Sequence, residues 1–518
     1  MLKFLRRLLI IIIVFVGASF IFQVIFPVPS NEGRENSTYI AASTDTQIGE
    51  LILGMAEENP GTSGVLPLLG GPGAFAARVA MARAAERSID ARYYIWQRDV
   101  TGIILLDELK KAADRGVRVR LLLDDNGIPD LDPEFAELDE HPNIEVRVFN
   151  PFVLRSPRVL TYIFDFFRIN RRMHNKSMTF DGVATIVGGR NIGDIYFDRN
   201  EEVNYFDFDV AVIGDGARDV DEDFDLYWAS ESAVPFNELS DPDDPNTDTL
   251  AATYAEIQSN PATDTYLQAI EDSLIVSNLN NNAEMFEWVK VSLVSDDPAK
   301  ALGAMDQSGY MTFRLFEILP TPQKEIDLIS AYFIPGDLLT DRLTDFAQDG
   351  LLVRTLTNAQ EATDVLPVHG GYIGYREALV EGGVWVYELK TTQELRSLTE
   401  QFGLTGDSRS SLHAKTFVID REQIFVGSYN FDPRSARLNT EMGFLIASPT
   451  ISKMVVEGLD ENIANRAYEV VFAENGDLEW IDAGAEGGPK VWDTEPNTTW
   501  FSRFLASFIG ILPIEWML

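Results

Sequence analysis

The sequence predicts an α/β protein of two sandwich domains related by a pseudo-two-fold axis, with a transmembrane helix at the N-terminus. Three observations lead to this prediction. Strands alternate with helices, the same order of elements returns about 238 residues later, and an apolar run opens the chain. Alternating strands and helices are typical of layered α/β sheets, and a repeat of this size indicates two domains of one fold.

The N-terminal segment has the length and composition of a membrane anchor. Lys3, Arg6 and Arg7 precede an apolar run over residues 8–26, which is interrupted by Gln23. A helical run of this length can cross the core of a bilayer. A cleaved signal peptide is the alternative, but its apolar region would be shorter and a small-residue cleavage site would follow. We therefore expect an uncleaved anchor, with the basic N-terminus in the cytoplasm and the rest of the chain outside.

The elements of the two halves correspond one to one. Ile89-Asp90 and Ile326-Asp327, which open matching strands, lie 237 residues apart. In the first half we predict strands over residues 88–96, 117–123 and 144–149 and a helix over 102–115. In the second half the matching strands are 325–332, 352–356 and 384–389, and the helix is 337–349.

These patterns predict six regions along the chain. Residues 31–65 are polar and irregular, as linkers are. The predicted regions are an anchor over 1–30, a linker over 31–65, a first domain over 66–235, an acidic linker or insertion over 236–300, a second domain over 301–480 and an apolar C-terminal segment over 481–518. The aromatic-rich Trp500–Leu518 fits either an interfacial membrane segment or a helix docked on the core.

Composition excludes several classes of function. The net charge of −39 argues against nucleic-acid binding, because phosphate neutralisation needs a basic surface. The chain has no cysteine, so disulfides, thiol nucleophiles and cysteine metal sites are excluded.

One motif occurs twice and carries the chemistry. The first copy runs from His174 through Lys176 to Asp181, and the second from His413 through Lys415 to Asp420, both with the spacing HxKxxxxD. An asparagine follows each histidine after 17 residues, Asn191 in a GGRN sequence and Asn430 in a GSYN sequence. In a strand, residues i and i+2 share a face, so each His and its Lys point the same way. We expect each motif to form a hairpin that returns its Asn to the His. Asp181-Gly182 is typical of a primed turn, and Asp420-Arg421 is a poorer one.

Two such halves around one point would form a site for a phosphodiester. One His would attack phosphorus and the other would act as general acid and base. The two Lys and two Asn would stabilise charge on the phosphoryl oxygens, so neither a metal nor another cofactor is expected. We assign Asp181 and Asp420 an orienting role, because an Asp at a turn is usually structural.

Each catalytic imidazole needs a partner on its other ring nitrogen. Glu441 follows His413 in the second half, and Asp207 or Asp209 is the counterpart in the first, with Asp207 favoured. We expect Arg190 and Ser428, in the tails of the two motifs, to contact substrate.

A group of arginines mixed with aromatic residues precedes the first motif. It includes Arg171 and Arg172, which we also expect to bind substrate, and its other members are Arg155, Arg158 and Arg168. Such a patch suits an anionic lipid head group. Ion pairs with the acidic stretch over residues 201–250 are the alternative.

The paired motifs with their GGxN and GSxN tails resemble the phospholipase D superfamily. The strings RVRLLLDDN, NRRMHNKSMTFDG, SLHAKTFVID and FDPRSARLNTEMGF are similar to those of its bacterial cardiolipin synthases. The resemblance extends from about residue 65 to the C-terminus. It implies two phospholipase D-type domains and an enzyme whose substrates are phospholipids. Together with the N-terminal anchor, this predicts a location in a bacterial inner membrane.

The implied reaction transfers a phosphatidyl group to phosphatidylglycerol, with phosphatidylethanolamine as donor. His174 matches the family's nucleophile and His413 its acid and base, although pseudo-symmetry permits the reverse. A hydrolytic phospholipase D is the alternative, and a nuclease is disfavoured by the charge. A protein partner is possible, and its identity is open.

Overall fold

The computed structural model describes residues 2–31, 33–155, 157–200, 203–239, 249–260, 263, 266–268, 285–391, 409–485 and 487–518. Within these ranges the chain forms two large mixed sheets covered by helices, so the predicted α/β class with two related domains is confirmed.

The first half forms a nine-stranded sheet in the order β10-β1-β8-β6-β5-β2-β3-β4-β9. Its strands and the short β7 are β1 (Ser63–Leu68), β2 (Ser88–Ile95), β3 (Arg118–Gly127), β4 (Ile144–Phe149), β5 (Ser177–Phe180), β6 (Ala184–Gly188), β7 (Val203–Phe206), β8 (Asp209–Gly214), β9 (Ala233–Pro235) and β10 (Glu287–Val289). The helices up to this point are α1 (Leu2–Ile25), α2 (Gln47–Glu58), α3 (Gly71–Ala84), α4 (Val100–Asp114), α5 (Asp132–Asp139), α6 (Val159–Phe164), α7 (Phe166–Ile169), α8 (Asp215–Trp228) and α9 (Thr249–Gln258).

The second half forms a ten-stranded sheet in the order β11-β18-β17-β16-β12-β13-β14-β19-β20-β21. Its strands and the short β15 are β11 (Val291–Ser295), β12 (Glu325–Ser330), β13 (Leu352–Asn358), β14 (Trp385–Leu389), β15 (Arg409–Leu412), β16 (Lys415–Ile419), β17 (Gln423–Gly427), β18 (Met442–Ile446), β19 (Ala467–Phe472), β20 (Leu478–Asp482) and β21 (Lys490–Trp492). The remaining helices are α10 (Ala299–Leu302), α11 (Met311–Ile318), α12 (Gly336–Gln348), α13 (Leu366–Glu381), α14 (Pro433–Arg437), α15 (Pro449–Arg466) and α16 (Trp500–Ile511).

The two sheets repeat one pairing pattern. In each, three parallel strands, β2-β3-β4 or β12-β13-β14, lie beside an antiparallel hairpin, β5-β6 or β16-β17, that carries the motif. The sheets pack on each other through an apolar cluster drawn from both halves, which includes Val187, Val210 and Val212 with Val426, Met442 and Phe444. This packing holds the two motif hairpins against each other.

The boundaries of the predicted regions differ from the structure in three places. Residues 31–65 are not a free linker, because they contain α2 and the start of β1, and Arg34 pairs with Glu238 at 2.8 Å. In the region 236–300, residues 240–248, 261–262, 264–265 and 269–284 lie outside the described residues, but β10 and β11 close the edges of the two sheets. The second sheet continues beyond residue 480 to β21.

The two apolar ends of the chain lie on the surface. Helix α1 is, among the described helices, the one long and apolar enough to span a membrane, and it packs against α6 through Phe15 and Phe22, whose rings lie 6.0 and 5.5 Å from that of Phe164. Helix α16 packs against α13 where Gly370 meets Gly510, a contact that leaves no room for side chains. Its opposite face exposes Trp500, Phe501, Phe504, Phe508 and Ile511. The segment is therefore docked and still presents an apolar surface.

Candidate active site

Each motif lies where its hairpin begins, and its lysine folds back on its histidine. Lys176 Nζ donates to the carbonyl oxygen of His174 at 2.6 Å, and Lys415 Nζ donates to that of His413. Both turns have two residues with positive φ, Asp181 and Gly182 at 50° and 69° in the first, and Asp420 and Arg421 at 55° each in the second. The second hairpin therefore adopts a primed turn although its sequence favours it poorly.

Asp181 and Asp420 bind backbone at the starts of neighbouring strands. Asp181 accepts hydrogen bonds from the amides of Glu86, Arg87 and Ser88, which lead into β2. Asp420 accepts from the amides of Gln323, Lys324 and Glu325, which lead into β12. These contacts fix each hairpin to the central strand of its sheet.

The two histidines pair with carboxylates of opposite halves. His174 Nδ1 lies 2.8 Å from Glu441 Oε2, and His413 Nδ1 lies 2.5 Å from Asp207 Oδ2. The sequence prediction placed each carboxylate in the half of its own histidine, whereas the structure exchanges them. Asp209, the other candidate, pairs with Arg78 at 2.9 Å.

Backbone contacts between the halves produce this exchange. The amide of His174 donates to the carbonyl of Thr440 at 2.9 Å, which brings Glu441 beside the first histidine. The amide of His413 donates to the carbonyl of Phe206 at 2.8 Å, where β15 runs parallel to β7. Glu441 directly follows Thr440 in the chain, and Asp207 directly follows Phe206. The same type of backbone contact therefore places both carboxylates beside the histidines of the opposite half.

The two pairs have different electrostatic environments. Burial lowers the pKa of His174 well below its usual range, and the charges of Lys176 and Lys415 lower it further. Burial raises the pKa of Glu441 to about 7, although the charge of Lys176 and the hydrogen bond from Ser428 act to lower it. His174 is therefore a neutral imidazole that donates through Nδ1, which leaves Nε2 with its lone pair.

At the second pair the carboxylate keeps its charge. Burial acts to raise the pKa of Asp207, but the charge and hydrogen bond of His413, with Lys415, outweigh it and hold that pKa below its usual range. Burial and Lys415 lower the pKa of His413, and Asp207 opposes them. Lys415 Nζ also lies 3.0 Å from His413 Nδ1, but an ammonium cannot accept, so the Nδ1 hydrogen goes to Asp207.

The asparagines also differ. Asn191 accepts from the amide of Ile95 and donates to the hydroxyl of Tyr196, both at 3.1 Å. Asn430 Oδ1 is buried and has no hydrogen-bond partner within the described part of the chain. The first amide is thus fixed by protein contacts on both sides.

The residues that the sequence assigned to substrate contact are engaged with the protein. Arg190 donates to the carbonyls of Leu68, Leu69 and Asp207 at 3.0, 2.8 and 2.5 Å, so it supports the chain around Asp207. Ser428 donates to Glu441 Oε2 at 2.5 Å.

The two arginines before His174 also have protein partners. Arg172 is buried, with Nε 3.1 Å from Asp124 Oδ2, and Arg171 donates to the carbonyl of Lys300 at 3.2 Å. The rest of the arginine group makes ion pairs, of Arg155 and Arg158 with Asp125 and of Arg168 with Asp165. Of the two alternatives, the structure thus shows ion pairs, and the partners of these three arginines are Asp125 and Asp165.

Sequence reasoning missed the aromatic walls of the site. Tyr94 meets the ring of His174 edge-on at 5.1 Å, and Tyr205 stacks on His413 at 4.9 Å. The hydroxyls of Tyr205 and Tyr332 both donate to Asp364 Oδ2, at 3.0 and 2.8 Å. Isolated tyrosines carry no spacing signal, so the sequence offered nothing that would have singled them out.

A second missed feature fixes Glu441 from behind. Asp296 Oδ2 accepts from the amide of Glu441 at 2.9 Å and from Lys300 Nζ at 2.8 Å. Lys300 and Asp296 are both fully buried. This ion pair holds the strand end that presents Glu441 to His174.

Comparison with known proteins agrees with this geometry. The model of a family described as cardiolipin synthase, phospholipase D-like domain, matches residues 79–228 and 315–462, one match in each half. This chain belongs to that family. Its members include phospholipase D-type phosphatidyltransferases, which act on phospholipids in membranes.

Individual relatives cover almost the whole chain. Cardiolipin synthase C of Escherichia coli K12 is 42% identical over 473 residues, which are 91% of this chain and 100% of that protein. An uncharacterised protein of Helicobacter pylori 26695 is 32% identical over 90% of this chain and 92% of its own length. The crystal structure of phosphatidylserine synthase from Haemophilus influenzae Rd KW20 shows the same fold, with a TM-score of 0.53, 17% identity and coverage of 80% of this chain and 91% of that one.

Proposed function

We propose that this chain makes cardiolipin, transferring a phosphatidyl group from phosphatidylethanolamine to phosphatidylglycerol through a phosphohistidine on His174. The observation that carries the proposal is the crossed pair of buried imidazole–carboxylate contacts, His174 with Glu441 and His413 with Asp207. Each contact occupies Nδ1 and so directs Nε2 of each ring to the chemistry. The similarity to the cardiolipin synthases supports the choice of acceptor.

In the first step, His174 Nε2 attacks the donor phosphorus. The bond from phosphorus to the head-group oxygen breaks, and His413 gives its proton to that oxygen. The negative charge that grows on the phosphoryl oxygens meets the ammonium groups of Lys176 and Lys415 and the amide groups of Asn191 and Asn430.

In the second step, the acceptor hydroxyl attacks the phosphohistidine. His413, now neutral, takes the hydroxyl proton, and the P–N bond breaks to release His174 with its electron pair. The acid and base are thus returned to their starting states, and no oxidant or reductant takes part.

The electrostatics favour His174 as nucleophile and His413 as acid, because they lower the pKa of the two imidazoles to different extents. A nucleophilic imidazole must be neutral, and the pKa of His174 is lowered well below its usual range by burial and two lysines. Burial and Lys415 lower the pKa of His413 as well, but the charge and hydrogen bond of Asp207 oppose them, so His413 takes up a proton more readily than His174. Asp207, whose own pKa is held low, supplies the ionised carboxylate that stabilises the imidazolium of an acid.

An amine-bearing head group fits the wall beside His413. Asp364 is exposed, and two tyrosine hydroxyls orient its Oδ2, while the ring of Tyr205 stacks on His413. A carboxylate bordered by tyrosine rings attracts an ammonium group. This supports phosphatidylethanolamine as donor, with its ethanolamine leaving on the side of the acid.

The surface around helix α1 supports contact with a bilayer. Helix α6, on which α1 packs, exposes Val159 and Ile163, and Phe167 follows with 78% of its surface exposed. Tyr162 of α6 donates to Asn126, Asn126 donates to Tyr94, and Tyr94 contacts His174. The site thus lies a few contacts from the anchor. We place the N-terminus in the cytoplasm and the domains on the outer side of a bacterial inner membrane, because basic residues precede the span.

The decisive test analyses lipids by mass spectrometry after incubation of the full chain in mixed micelles. We expect cardiolipin from phosphatidylglycerol with added phosphatidylethanolamine, and at least a thousandfold less from His174→Ala. His141→Ala, a surface histidine paired with Asp114, is the matched control and should leave the rate within about twofold. Phosphatidate as the sole product would show a hydrolase and refute the synthase.

The donor assignment has its own test. Asp364→Asn should lower kcat/KM for the ethanolamine lipid about tenfold and leave transfer from phosphatidylglycerol to a second phosphatidylglycerol unchanged. Asp349→Asn, an exposed carboxylate on the turn after α12, is the control. Equal loss with both donors would remove Asp364 from head-group recognition.

Two further features follow from the proposal. Nucleic acid is not among the substrates, because a net charge of −39 repels a phosphate backbone. A protein partner is compatible with the exposed face of α16, but the proposed reaction needs no second chain.

A further inference from the structure

A large apolar cavity lies inside the second half. Its volume is about 1070 Å³, and it separates the second sheet from helices α11 and α12. The sheet contributes Ile326, Leu328 and Phe417, and the helices contribute Phe316, Leu339 and Phe346. This volume is at the upper end of those that hold small-molecule ligands.

The matching helix of the first half is buried far more completely than α11. There α3, which precedes β2 as α11 precedes β12, buries eleven of its 14 residues. Helix α11 buries only Met311 and Leu315 of its eight. Empty apolar volume lowers stability, so the opening beneath α11 is a costly feature of the second half.

One part of the lining borders the catalytic residues. Tyr429 and Phe431, on either side of Asn430, both line the cavity, and Asp432 follows them. Ser428, two residues before Asn430, donates to Glu441, the partner of His174. The cavity therefore adjoins the half-site where the proposed phosphohistidine forms.

Another part of the lining is exposed to the surroundings of the protein. Leu338, Phe313 and Phe316 line the cavity with 87%, 51% and 51% of their surfaces exposed. Pro513 and Trp516, which follow the exposed aromatic face of α16, line it as well. The apolar lining thus extends from the second half to the exposed aromatic face of α16, which has the composition of a lipid-facing segment.

We propose that this cavity holds an acyl chain of the donor phospholipid, whose phosphatidyl group is carried by His174. This rests on the proposed function and adds where the lipid tail lies. An alkyl chain is the occupant that matches an apolar lining continuous with a lipid-facing surface. Tail binding in the second half would position the phosphorus between the two histidines.

The first experiment narrows the cavity and compares donors of two chain lengths. Leu339→Trp should lower kcat/KM about tenfold for a dioleoyl donor and leave that for a dihexanoyl donor within about twofold, because the tryptophan displaces buried methylene groups of the long chain. Leu226→Trp, at an exposed leucine of α8, should change neither. Retained activity with the short donor also shows that the variant folds. Equal loss with both donors, or no loss with either, would overturn the proposal.

A second experiment does not depend on turnover. A phosphatidyl lipid with a diazirine at its tail is bound to the full chain in micelles, irradiated, and the labelled peptides are identified by mass spectrometry. We expect label within residues 313–346 and 429–437. We also expect this label to be lost in Leu339→Trp. Label confined to α1 and α16 would overturn the tail site. Cavity labelling without cardiolipin formation would instead refute the proposed reaction and keep the site.

Discussion

The two half-sites carry one motif and differ in what surrounds it. His174 faces Glu441, whose pKa burial raises to about 7, and meets the edge of Tyr94. His413 faces Asp207, whose pKa is held low, and stacks on Tyr205. The two motifs thus have the same residues, but the carboxylates that pair with their histidines differ in residue type and in pKa. Under the proposed mechanism, this difference would divide nucleophile from acid without a change in the motif.

The largest expected effect separates the two histidines. With a donor that carries p-nitrophenol as leaving group, which needs no proton, His413→Ala should release one equivalent of nitrophenol and form the phosphohistidine. His174→Ala should release none, a loss of about 10⁴-fold, because the attacking nitrogen is gone. A burst from His174→Ala and none from His413→Ala would exchange the two roles.

Removing the carboxylate charges should affect the halves unequally. Asp207→Asn should lower kcat about 10³-fold, since it takes an ionised partner from the imidazolium. Glu441→Gln should cost about tenfold, because that carboxyl is already partly protonated near neutral pH. Steady-state kinetics at pH 7, with thermal melting to check folding, would measure both. Equal losses would contradict the asymmetry.

The pH dependence should reflect the same asymmetry. Burial lowers the pKa of Lys176 to about 7, and a lysine is charged below its pKa, so loss of that charge should lower transfer as pH rises through about 7. The pKa of His413 is lowered too, so loss of the acid's proton should begin the fall at lower pH. On the acid side, activity should be lost only at pH values below the usual pKa range of histidine, because the pKa of His174 is lowered. A profile of kcat/KM between pH 5 and 9 tests this. An acid limb at about 6.5 would contradict a buried, neutral His174.

The smallest effect concerns the motif aspartates. Asp181→Asn should lower the free energy of unfolding by about 2 kcal/mol, since three amides lose a buried charged acceptor. Asp420 is less buried, so Asp420→Asn should cost about 1 kcal/mol. Denaturant titration measures both, and kcat should stay within about twofold. A loss of kcat without a loss of stability would assign these carboxylates to the chemistry.

Local and repeated features could be predicted from the sequence. The strand at 144–149 was predicted with the bounds that β4 has, and that at 325–332 extends only two residues beyond β12. The turn at Asp181 follows from the preference of Asp-Gly for positive φ. Repeated motifs with equal spacing also indicated which residues meet, because two incomplete halves require each other.

The remaining features depend on contacts between distant segments. The exchange of Asp207 and Glu441 is set by the backbone contacts of Phe206 and Thr440 with the opposite half, which no spacing encodes. The paired motifs did not reveal that Arg190 would donate to carbonyls around Asp207, because a buried arginine and a substrate-binding one look alike in sequence. The wall beside His413 similarly joins Tyr205, Tyr332 and Asp364, which come from three separate segments.

The crossed pairing also bears on how such a protein arose. A single ancestral half would lack the carboxylate for its own histidine, so it could act only as a homodimer whose subunits exchange them. Fusion of two copies would leave that chemistry unchanged. It would, however, free the two carboxylates to diverge, one to Asp and one to Glu, which identical subunits cannot do. The proposed specialisation of the two histidines therefore requires a fused chain, because the motif is the same in both halves.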